Sequence, residues 1–176
     1  MGHQRLGKLP THRYLPDIVR YLVKGGTPTA HLVEQITEVG RDALKRALKD
    51  PVFVEALWLL IRLPQAAASK DFGAALAEIG MGAHRPTSVA ELMVALDNAL
   101  ERVQRREHRD ATDLGEIARQ AALTALGDAV RAGMPMWSPT ADDVQASVAA
   151  LRSPEKFGAL AHHFHANTVE RVIHYY

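Results

Sequence analysis

Ser88-Val89-Ala90-Glu91-Leu92-Met93-Val94-Ala95-Leu96-Asp97-Asn98-Ala99-Leu100-Glu101-Arg102-Val103-Gln104-Arg105-Arg106 reads as one helix from end to end. Ser88 followed three residues later by Glu91 is a capping box, in which each side chain takes up an otherwise orphaned backbone N–H of the first turn. Val89, Leu92, Met93, Leu96, Leu100 and Val103 then recur every three or four residues, the spacing of one face of an α-helix. Arg105 and Arg106 close the stretch, where cations meet the negative end of the helix dipole.

The same grammar extends in both directions. Towards the C-terminus, Asp113 to Arg131 carries polar positions 113, 116, 120, 127 and 131 on one stripe and mostly Leu, Ile, Val and Ala elsewhere, stopped by Gly133 and Pro135. Thr140 with Asp143 caps a further helix bearing Val144, Val148 and Leu151. Ser153-Pro154 opens the last one, which runs through Phe157, Leu160, Phe164, Thr168 and Val172 to the end. Towards the N-terminus, Phe72, Ala75, Leu76 and Ile79 predict a short helix closed by Gly80 and Gly82. Asp50-Pro51 opens a helix that is apolar on nearly every side from Val52 to Ile61, expected to be central and to end at Pro64. Thr27-Pro28 opens another, carrying Leu32, Val33, Ile36, Val39, Leu44 and Leu48, and Leu15 to Val23 forms a short apolar stripe stopped by Gly25-Gly26.

Alternating β-branched runs between tight turns, the mark of strands, do not occur. The expected fold is therefore all-α: a compact irregular bundle of seven to eight mostly short helices. Residues 1–14 are expected to form a polar arm and residues 15–176 a single helical domain. A chain of 176 residues suits one such domain, and 47% hydrophobic with 23% charged residues is ordinary for a folded one. Ser69 to Ala77 and Ser153 to Ala161 share a short echo, insufficient for a repeat architecture.

Composition narrows the chemistry. Lys plus Arg total 21 and Asp plus Glu 20, so the broad basic excess of a dedicated nucleic-acid binder is missing. Without cysteine there are no disulfides, thiolate nucleophiles or Cys-type metal sites, which fits a reducing, cytoplasmic setting. Met1 to Lys8 leads into no apolar run, so no secretory signal is expected, and no apolar stretch approaches the ~20 residues of a membrane-spanning helix. Nucleotide-cradling glycine motifs and Gly-x-Ser-x-Gly are absent. No catalytic residue and no cofactor are expected.

Three candidate surfaces remain. The last helix carries His162, His163, His165 and His174, and His163, Asn167, Glu170 and His174 share one stripe at ~100° per residue. Glu170 and His174 lie one turn apart, which opens the alternative of a metal-dependent enzyme. Neither His-Glu-x-x-His nor Glu-x-x-His occurs, so the usual ligand spacings fail and a solvated polar face explains the same residues. A second alternative is nucleic-acid binding through Arg41, Lys45, Arg46 and Lys49, in a stretch faintly similar to the recognition helix of a helix-turn-helix repressor. Ile36 stands where that motif wants a small residue, and an ordinary basic helix face accounts for the letters. The leading expectation is a helical subunit or adaptor that binds other proteins and itself. The last helix bears two apolar strips, one through Phe157, Phe164 and Thr168 and one through Val169, Ile173 and Tyr176. It ends with no Gly, Asn or Pro stop signal, so Val169, Val172, Ile173, Tyr175 and Tyr176 are the expected interface, covered by the core or by a partner chain.

Overall fold

A computed structural model describes residues 45, 47–106 and 113–175, with the backbone alone for 173 and 175. Six helices and no strand occur among the described residues: α1 (Pro51–Ala67), α2 (Phe72–Glu78), α3 (Val89–Arg106), α4 (Asp113–Ala132), α5 (Ala141–Ala150) and α6 (Pro154–Tyr175). The described residues are all-α as expected, and six of the anticipated helices lie among them. The helices expected over residues 15–23 and most of that over 28–48, together with the N-terminal arm, lie outside the described residues.

Helices α1, α2, α3, α5 and α6 begin where a side chain accepts from amides of the first turn. Asp50 Oδ1 accepts from the N–H groups of Val52 and Phe53 at 2.9 and 3.0 Å and starts α1, with Pro51 at a position that needs no N–H. Asp71 caps α2 by accepting from Ala74 N–H at 2.9 Å. Ser88 Oγ accepts from Glu91 N–H at 3.2 Å at the head of α3, but the return arm of the expected box lands elsewhere. Glu91 accepts from both the N–H and the hydroxyl of Thr87, at 2.7 and 2.9 Å.

Helix α2 stops in a Schellman turn. Met81 N–H donates to Leu76 O and Gly80 N–H to Ala77 O, while Gly80 takes a φ of 76° that a side chain would oppose. Met81 and Leu76, the pair that closes this motif, are both buried. Pro64, in contrast to its expected role, does not end α1, which continues three residues beyond it to Ala67. Proline deletes one N–H and crowds the carbonyl four residues back, a cost that a packed helix can absorb when its flanks are held. Both sides of Pro64 are held here, since Leu60, Leu63, Ala66 and Ala67 are buried with it.

Helices α1 and α4 organise the packing. Helix α1 touches α2, α3, α4 and α5, and α4 touches α6, α1, α3 and α5. Ala118, Ala121, Ala122 and Ala125 of α4 are fully buried, and their small side chains allow neighbouring axes to come close. Leu59, Leu63, Leu92, Leu96, Leu100, Leu126 and Leu160 supply the bulk of the core, and Phe53 meets Phe164 with ring centroids 5.7 Å apart. The polar stripe expected along α4 is only partly outward, because Asp113 and Gly127 are buried. Glu116 and Gln120 instead join a chain of polar contacts that ties α4 to both neighbours. Arg119 pairs with Asp97 of α3 at 3.0 Å, and Arg171 of α6 donates to Gln120 Oε1 at 2.7 Å and to Thr124 Oγ1 at 3.3 Å. No helix of the described residues is long and apolar enough to cross a membrane.

Candidate interaction surface

The connection between α4 and α5, residues 133–140, is built to hold two large apolar side chains in water. Helix α4 closes with Gly133 N–H donating to Val130 O and Met134 N–H to Arg131 O, both at 3.1 Å. Pro135 then prevents the helix from continuing. On the far side Thr140 caps α5 in a complete capping box. Its Oγ1 accepts from Asp143 N–H at 3.3 Å, and Asp143 Oδ2 accepts from Thr140 N–H at 2.8 Å and from the Thr140 hydroxyl at 2.7 Å. Those bonds, the hydroxyl first and the backbone N–H second, hold the Asp143 carboxyl below the usual carboxylate range.

Between these fixed ends stand Met136, 90% exposed, and Trp137, 84% exposed. Ser138 carries a φ of 47°, a left-handed conformation that costs a non-glycine residue about 1–3 kcal/mol. Two prolines, Pro135 and Pro139, limit the backbone on either side. An exposed tryptophan beside an exposed methionine is uncommon on a free surface and typical of the anchor of a protein interface.

A groove of about 390 Å3 opens directly beside this loop, between α4, α5 and α6. Leu151, Leu160, Ala129, Ala132 and Ala159 form its apolar lining, and Asp128, Lys156 and His163 stand at its margin. Gly133 belongs to both features: it begins the loop and lines the groove. Its lack of a side chain lets α5 approach, because a Cβ there would lie 3.2 Å from Ser147 Oγ. Ser147 is 6% exposed and lines the groove.

The residues singled out from the sequence fall elsewhere. His162, His165 and His174 are exposed, and His163 is half-buried with Nε2 3.9 Å from Asp128 Oδ2. His162, His163 and His165 diverge around α6, and His163 and His174, on one stripe but eleven positions apart, are separated by about 16 Å along the axis. Asn167 is turned back to its own helix, where its side-chain amide donates to His163 O at 2.9 Å. Glu170 and His174 line a shallow depression with His165, Ala166 and Val169. No group of three or more His, Asp or Glu side chains able to hold a metal occurs among the described residues. Of the basic stretch, Lys45 and Lys49 are exposed, while Arg41 and Arg46 lie outside the described residues.

On the C-terminal helix Leu160, Phe164 and Thr168 are buried against the core, and Thr168 donates its hydroxyl to Phe164 O at 2.8 Å. Val169 and Val172 are half-buried. Tyr176 and the side chains of Ile173 and Tyr175 lie outside the described residues. Sequence reading passed over Met136 and Trp137 because their loop was treated only as punctuation between helices. The available signal was two large apolar residues enclosed by prolines, in a segment too short to bury them. The chain matches no protein-family model, no curated protein and no solved structure.

Proposed function

We propose that this chain is a helical protein–protein interaction subunit or adaptor, a compact irregular bundle without catalytic activity, acting in a reducing compartment such as the cytoplasm. The observation that carries the reading is the Met136–Trp137 pair, nearly fully exposed on a loop braced by two prolines and a capping box. Leaving that much apolar surface in water forgoes burial worth roughly 1.5–3 kcal/mol per large side chain, a cost best explained by a partner that recovers it. A braced loop also loses little conformational entropy on docking, so more of the contact energy appears as affinity. Val169 and Val172, the interface expected from the sequence, are half-buried on α6.

The test is affinity capture with the wild-type chain and with Met136→Ala/Trp137→Ala, run side by side with a thermal melt of each. The double variant is expected to keep the wild-type Tm, since both side chains are exposed, and to lose the proteins that the wild type retains. Identical retention by the two chains would remove the basis for the proposal.

A further inference from the structure

No further inference is drawn: the strongest candidate, the exposed strip of Val54, Trp58 and Ile61 along the outer face of α1, is an unpartnered apolar face, and nothing in the structure shows what covers it.

Discussion

Gly73 illustrates how much a single position can decide. It lies in the first turn of α2, and a Cβ built there would stand 2.9 Å from the Ala83 carbonyl oxygen, a distance that real Cβ contacts essentially never reach. The atom it would strike is backbone in the segment between α2 and α3, so relief requires moving the chain rather than rotating a side chain. Gly73→Ala should therefore destabilise the protein by about 1–3 kcal/mol, despite alanine's better helix propensity. Urea denaturation of the two chains measures this, and an unchanged or higher midpoint would show that the segment yields freely. Trp58 teaches the opposite lesson. It sits on α1, which was expected to be apolar on nearly every side and central, yet Val54, Trp58 and Ile61 are exposed, with the Arg62 guanidinium 6.0 Å from the Trp58 ring centre. Periodicity shows that a face is apolar; it does not show that the face is covered.

At the scale of the element, two helix starts carry carboxyl groups whose titration bears on stability. Asp143 and Glu91 both have their carboxyl groups held below the ordinary range, by Thr140 and by Thr87 respectively. An acid whose pKa is lower in the folded state stabilises the fold above its unfolded value, and that contribution is lost as pH falls through the folded value. Glu55 of α1 works in the opposite sense. Burial raises its pKa, with Arg106 countering in part, so protonation relieves a penalty present at neutral pH. The caps act to lower Tm as pH drops below the ordinary carboxylate range, with Glu55 acting against them. Asp143→Asn keeps an acceptor but no titrating group, and should flatten the acid limb of the Tm–pH curve while lowering the neutral plateau slightly. Parallel curves for the two chains would assign the acid sensitivity elsewhere.

Across the whole molecule, α4 is the element that cannot be thickened. Its alanine band, Ala118, Ala121, Ala122 and Ala125, has no accessible surface, and α6, α1 and α3 all pack on this helix. Ala122→Leu keeps a good helix former but adds three carbons where close-packed interiors have no room. A loss of about 1–3 kcal/mol is expected by urea denaturation, larger than the same change at an exposed helical position, where it should stay within about 0.5 kcal/mol. A neutral result would mean that the axes around α4 have slack. The polar contacts Asp97–Arg119 and Gln120–Arg171 flank this band, joining α3 and α6 to the same helix.

What the residues determined alone was local. Capping boxes, proline starts, glycine stops and a 3.6-residue period placed α2 to α6 close to their observed limits, because each signal acts within one or two turns of backbone. Where tertiary contacts intervene, the local reading failed: packed neighbours carried α1 past Pro64, and Gly127, expected on the polar stripe, is buried with Met93 of α3 close by. The candidate site was less legible still. His162, His163 and His165 diverge around one helix because successive positions turn by ~100°, and His174, on the stripe of His163, stands about 16 Å further along the axis. The loop of Gly133 and Met136, Ser147 of α5 and Leu160 of α6 come from separate stretches and meet only once α4, α5 and α6 enclose a groove beside that loop. A one-dimensional pattern records which faces are apolar, whereas which of them find cover depends on how the helices cross, and that is settled only in three dimensions.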